Sequence, residues 1–212
     1  MLSPKIQLPT QLPVMVLGGC NLLPHGLLPL CIFEPRYRQM LADALDSHRL
    51  FAIGTVDPSS PTRDTSEPEV FEYSCAGLVR ACVGAEDGSS HLLLQGLQRI
   101  RFTGWQNDGK PYRRATIEPI PSIDENSEAS LVLSQRALEL AHDLISSGLP
   151  APTPNALAEI ESLDDPEARA DLLAYHLIRD PYERQALLGM SDIGERLRFI
   201  IGQLGSLGPG LR

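Results

Sequence analysis

Between residues 13 and 121 the apolar positions recur mostly with period two, in short runs broken by Pro, Gly, Asn and Asp, and this spacing predicts strands. The predicted strands are 14–17, 27–33, 50–56, 71–83, 91–102 and 113–120. One stretch changes rhythm. Across 35–47, Tyr37, Met40, Leu41, Ala44 and Leu45 fall on a single helical face. Pro35 has the fixed φ that suits a first helical position, and Glu34 stands where negative charge favours a helix N-terminus. Residues 27–45, LLPLCIFEPRYRQMLADAL, therefore predict a strand punctuated by Gly26 and Pro29 that runs directly into an amphipathic helix.

The turn Glu86-Asp87-Gly88-Ser89 joins two of the longer strands as a hairpin, so the later strands predict an antiparallel meander. The polar stretch 57–68, DPSSPTRDTSEP, predicts an exposed, mobile loop. After Pro121 the apolar period lengthens to about 3.6. One helix carries Leu131, Leu138, Ala141, Leu144 and Ile145 and stops near Gly148 and Pro150; a second, within 163–179, groups Leu172, Leu173, His176 and Leu177. Asp180-Pro181 starts a third through Leu187 and Leu188. Asp192 and Glu195 have capping-box spacing ahead of Ile193, Leu197, Ile200, Ile201 and Leu204, and the glycine-rich tail GSLGPGLR frays. The class is α+β, divided into a β domain at 1–121 and a helical bundle at 122–212.

Composition narrows the function. A 212-residue chain with 42% hydrophobic residues can bury an ordinary core, and no run reaches the ~18 apolar residues that would cross a bilayer. The N-terminal residues have no apolar run of signal-peptide type, so a cytoplasmic protein is expected. A formal charge of -9 argues against a nucleic-acid partner, whose affinity comes mainly from cations on phosphates. Arg179, Arg184, Arg196 and Arg198 alternate with Asp180, Glu183, Asp192 and Glu195, which reads as a solvated, charge-balanced helix face. Trp105 is the sole tryptophan, and no stacking platform of several rings accompanies it.

No catalytic or cofactor-binding set emerges. Cys20, Cys31, Cys75 and Cys82 form no Cys-x-x-Cys pair and read as buried free thiols, and no metal or other cofactor is expected. His176, on an apolar helix face, reads as a core histidine, while His25, His48, His91 and His142 suggest no site. GWQNDGK, residues 104–110, has the spacing of a phosphate-binding loop. Pro111 follows it where a Ser or Thr is needed, and a strand follows where a helix is needed, so it reads as a turn.

LLPLCIFEPRYRQML, LFAIGTV, the strand through Gly77-Leu78-Val79-Arg80 and LLLQGLQRIRF, taken with RDPYERQALL and IGERL near the end, resemble the N-terminal domain of the Lon protease family. The resemblance implies a PUA-like mixed β barrel with one inserted helix, followed by a helical bundle, and a role in engaging substrate. It covers about nine tenths of the chain, and 212 residues leave no room for an ATPase and a peptidase. A stand-alone protein is therefore expected. The Lon peptidase uses a Ser-Lys pair, but the only lysines are Lys5, in a proline-rich terminus, and Lys110, in the turn. The expected function is a non-enzymatic module that binds unfolded or extended polypeptide, in some settings beside a separate protease. An RNA-binding PUA-like module and a hydrolase with dispersed active-site residues are the alternatives. The candidate peptide groove is Leu23, Pro24, Phe33, Tyr37, Gly96 and Arg99, with 57–68 as a lid. Gly96 and Arg99 also have structural readings, a bulge and a pairing with an acidic group such as Glu34.

Overall fold

The computed structural model describes residues 7–61, 67–149 and 156–207. They divide into two compact units, one of residues up to Leu22 with Leu27–Ile120, the other of Leu23–Gly26 with the chain from Pro121 onward.

The first unit holds β1 (Gln11–Leu17), β2 (Leu27–Ile32), α1 (Pro35–Leu45), β3 (Leu50–Thr55), β4 (Tyr73–Gly84), β5 (Ser90–Gln106) and β6 (Arg113–Pro119). The sheet order is β2-β5-β4-β3-β1-β6, and β5 also pairs with β6, so β5, β4, β3, β1 and β6 close into a barrel with β2 as an outer strand. β1 and β3 run parallel, and every other pairing is antiparallel. Closure depends on the length of β5. Its 17 residues pair with β4 along one edge, while along the other β2 takes the first part and β6 the last. A straight strand of that size would span roughly 55 Å. Register shifts opposite Ala76/Gly77 and at Phe102/Gly104 let it bend around the barrel. Leu12, Val14, Leu50, Ala52, Ala76, Ile100, Phe102, Ala115 and Ile117 fill the interior.

The predicted strand-to-helix passage is present, with Glu34 as N-cap and Pro35 in the first turn. The Glu34 carboxylate does not cap the helix backbone; it accepts from Arg36 Nε at 2.9 Å. The described flanks of the 57–68 loop are hydrogen-bonded: Asp57 holds the Ser59 amide and hydroxyl, Ser60 donates to Glu69, and Val56 bridges Val70. Five of the twelve residues of the predicted lid, 62–66, lie outside the described residues.

The second unit contains α2 (Ser127–Ser146), α3 (Ala156–Glu161), α4 (Pro166–Leu177), α5 (Pro181–Gly189) and α6 (Ile193–Leu207). Asp165, Asp180 and Asp192 each accept from backbone amides at the start of the following helix. α3 has no counterpart in the predicted elements, because six residues are too few to display a 3.6-residue period. α6 extends to Leu207, past the point where glycines predict fraying. Gly26 is more than a strand boundary: a Cβ there would lie 2.7 Å from the Tyr175 ring, so glycine is what lets this short segment approach α4.

Two expectations need correction. The Arg196 side chain is fully buried and Arg184 donates to the Ile178 and Tyr175 carbonyls at the end of α4, leaving only Arg179 and Arg198 exposed. The charge-balanced solvated face is thus only half present, because charge interleaving in sequence ignores which helical positions point inward. Nor are all four thiols buried. Cys75 is, but Cys31 is exposed, because the alternation along β2 turns it outward.

Candidate functional site

On the open edge of the barrel, β2, β5 and β4 form a three-stranded ribbon whose two faces differ in burial. Leu92, Leu94 and Val79 point inward and are at most 5% exposed. The opposite face carries two cross-strand rows, Pro29/Leu93/Ala81 and Cys31/His91/Val83. Leu27 and Phe33 extend it at the two ends of β2. Phe33 is 62% exposed, Val83 68% and Leu27 43%. His91 is the single ionisable imidazole in these rows. A sheet face turned to water usually alternates to polar residues, so this concentration of apolar side chains is unusual for one. β2 also has no strand partner on its outer edge among the described residues, although Pro29 cannot donate a backbone hydrogen bond there.

Elsewhere in the same unit lies a cleft of about 810 Å³, lined by residues of β1, the start of α1, Pro68 and the β5–β6 turn. β6 stops pairing with β1 at Val14, but β1 continues to Leu17. The next outward-facing backbone groups, the N–H and C=O of Val16, meet the Tyr37 hydroxyl instead, which accepts from one and donates to the other at 3.1 Å. One phenol thus satisfies a pair of groups that would otherwise stand open on a strand edge. Burial raises the Tyr37 pKa, which keeps the phenol protonated and able to donate. Arg113 stacks 3.6 Å from the Trp105 ring centre and donates to the Pro68 carbonyl at 2.6 Å; Arg36 lies 4.5 Å from the centre of the Tyr37 ring.

The β5–β6 turn is pinned to α1 by Asp43, which accepts from Lys110 at 2.8 Å, from Tyr112 at 2.5 Å and from Gln39 at 2.8 Å. Lys110 thus belongs to an ion pair on a turn, and Gly109 with φ +77 makes the turn. The bond from Lys110 foremost, then that from Tyr112, holds the Asp43 pKa down to about 2. A carboxyl whose folded pKa is depressed stabilises the fold above its unfolded pKa and loses that contribution as pH falls through the folded one. Asp43→Asn is therefore expected to lose about 1–2 kcal/mol at pH 7, after allowance for its partial exposure, with the gap from the parent closing between about pH 4 and pH 2. Urea unfolding at several pH values measures this; a gap that does not narrow in acid would contradict it.

The predicted groove residues are divided between the two units. Leu23 and Pro24 are buried in the second unit; Tyr37, Gly96 and Arg99 are buried in the first, and Phe33 alone presents its side chain to solvent. Gly96 faces Gly77 at the bulge in β5 that leaves Leu97 unpaired. Glu34 is engaged by Arg36. Sequence reasoning missed Cys31, His91, Leu93 and Val83. The signal was present, since residues of one parity on adjacent antiparallel strands share a face, but using it required the register. Among the described residues no cluster of His, Cys, Asp and Glu could hold a metal ion, and no helix is long and apolar enough to cross a membrane.

Residues 11–205 match the family model of the ATP-dependent protease La (LON) substrate-binding domain. The chain belongs to this family. It is 26% identical over 200 residues to the Lon protease of Escherichia coli K12, spanning 92% of this chain and 25% of that protein. With the Lon protease of Dictyoglomus thermophilum it shares 25% over 191 residues, 90% of this chain and 24% of the relative. The chain thus spans about a quarter of the length of these Lon proteases. Among solved structures, the N-terminal domain of a Mycobacterium avium complex Lon protease is similar with a TM-score of 0.72 at 16% identity, and a Lon N-terminal domain protein from Xanthomonas campestris with 0.65 at 20%; each likeness covers 92% of this chain and 98% of the other. At those identities the likeness establishes the Lon N-terminal fold. The matched region is the substrate-binding domain, distinct from the parts of Lon that hydrolyse ATP or cleave peptides.

Proposed function

We propose that this chain is a binding module, without catalysis of its own, that engages unfolded or extended polypeptide on the outer face of the β2-β5-β4 ribbon. The observation carrying the proposal is the run of exposed apolar side chains through Leu27, Cys31, Phe33 and Val83, with the half-buried Leu93 between them. Apolar segments that a folded protein hides are exposed in an unfolded one, and their burial against such a face gains roughly 25 cal/mol per Å² before the cost of ordering the chain. The outer edge of β2 offers backbone groups to an added strand, with a gap at Pro29 that lets sequence-tolerant contacts dominate over a full ladder. The family's substrate-binding designation supports the same reading. An RNA-binding reading has less support. Two of the four arginines near the C-terminus are directed inward, and Arg80, the exposed cation beside the apolar face, is engaged by Gln95.

The test is a double substitution, Phe33→Asp with Val83→Asp, in the full chain. Both positions are exposed, so the fold and its circular dichroism are expected to persist. Affinity for an unfolded casein, followed by anisotropy at moderate salt, is expected to fall tenfold or more, about 1.4 kcal/mol. Unchanged affinity would remove this face from the function.

A further inference from the structure

We propose that the cleft between β1, the start of α1 and the β5–β6 turn is a carboxylate-binding site, built on Arg113 and Arg36, for a C-terminal or acidic side-chain carboxylate of a bound polypeptide. This rests on the polypeptide-binding reading for the source of the carboxylate, but uses a different surface from the apolar face.

A guanidinium stacked on an aromatic ring uses its flat face for the ring and keeps its N–H groups in the plane, where a carboxylate can be gripped by two parallel bonds. Arg113 has this arrangement on Trp105, and only one of its terminal nitrogens is engaged by the Pro68 carbonyl. Arg36 lies over the Tyr37 ring and gives its Nε to Glu34, which leaves its terminal nitrogens on the same cleft. Both arginines act electrostatically on the Tyr37 hydroxyl, so their charges converge on one place. Arg113 is half-buried, and desolvation lowers its pKa, the mark of a cation that has given up hydration without full recompense. The other charges on the cleft are accounted for. Lys110 pairs with Asp43 and Asp108 with Arg114, while Glu67 on the rim opposes an incoming anion. The residues lining the cleft include three cations, Arg36, Lys110 and Arg113, and two anions, Glu67 and Asp108, and a single carboxylate matches that difference better than a polyphosphate would, in a chain whose net charge is -9.

Trp105 is the only tryptophan and lies in the cleft, so its fluorescence reports occupancy directly. The full chain is titrated with one short apolar peptide in three forms: free C-terminal acid, C-terminal amide, and amide with an internal Glu. Saturable quenching is expected with a carboxylate form and at least tenfold weaker binding with the neutral amide; whether the acid or the Glu peptide responds identifies the source. Arg113→Gln and, separately, Arg36→Gln are expected to shift the midpoint upward by tenfold or more, and Glu67→Gln to shift it downward. Equal binding of the acid and amide forms, or midpoints unmoved by either arginine substitution, would overturn the proposal, as would preferential binding of inorganic phosphate. The Phe33→Asp/Val83→Asp protein separates the two readings. If carboxylate titration fails while casein binding still depends on those residues, only the cleft is lost.

Discussion

Arg196→Ala is expected to destabilise the helical unit by about 3–5 kcal/mol, the largest loss of any single substitution considered for this protein. The Arg196 side chain is fully buried and donates to both carboxylate oxygens of Asp171 at 3.2 and 3.4 Å, to Glu167 at 3.4 Å and to the Ser122 hydroxyl at 2.6 Å. Asp171 is itself only 2% exposed. Alanine would leave that carboxylate buried without its cation and would release Ser122, which also donates to Glu167. The network joins α4, α6 and the segment that enters the bundle, so its loss should spread through all three. A paired apolar replacement, Arg196→Met with Asp171→Leu, should recover most of the stability, because the burial penalty of two charges disappears with them. Urea unfolding monitored by helical circular dichroism reads both variants. A loss below about 1 kcal/mol for Arg196→Ala would mean that the arginine is solvated, as its charge-alternating sequence suggests.

Gly77→Ala is expected to cost about 1–3 kcal/mol, although it adds a single methyl group in a strand. A Cβ at Gly77 would lie 2.6 Å from Leu94 Cγ and 2.8 Å from Leu22 Cδ2. Both leucines are at most 1% exposed, so neither can swing into solvent to make room. The contact also falls at the β5 bulge, where Gly77 faces Gly96 and the barrel wall turns. Removing the neighbour tests the cause: Leu94→Ala alone should also destabilise by leaving a cavity, while Gly77→Ala with Leu94→Ala should lose less than the sum of the two. Additive losses in thermal or urea unfolding would show that the methyl group acts elsewhere.

Both leading effects come from contacts between segments distant in sequence, whereas the elements themselves are encoded locally. The period-two runs, the helix entry at Glu34-Pro35 and the Asp-led helix starts at Asp180 and Asp192 are local signals, and the elements stand where those signals put them. The resemblance carried by residues 27–45 and by LLLQGLQRIRF led to the Lon N-terminal fold for the same reason, since strand, turn and helix chemistry is encoded within a few residues of itself. Site residues were less legible. Phe33 reached the exposed face, yet its neighbours there, Val83 and Leu93, come from strands about fifty and sixty residues away, and only the register places them in adjacent rows.

Burial and pairing across the fold were decided by tertiary structure alone. The sequence carries Arg196 as one charge among alternating charges; packing of α4 against α6 makes it the buried centre of a network. It carries Tyr37 as part of an apolar helix face; the early end of β6 pairing gives its hydroxyl the open backbone of Val16. By itself the sequence determined which segments become strands and helices, because those preferences are local. The barrel closure through β5, the apolar face and the arginine cleft required the chain to fold, because each is made by residues far apart in sequence that register and packing bring together.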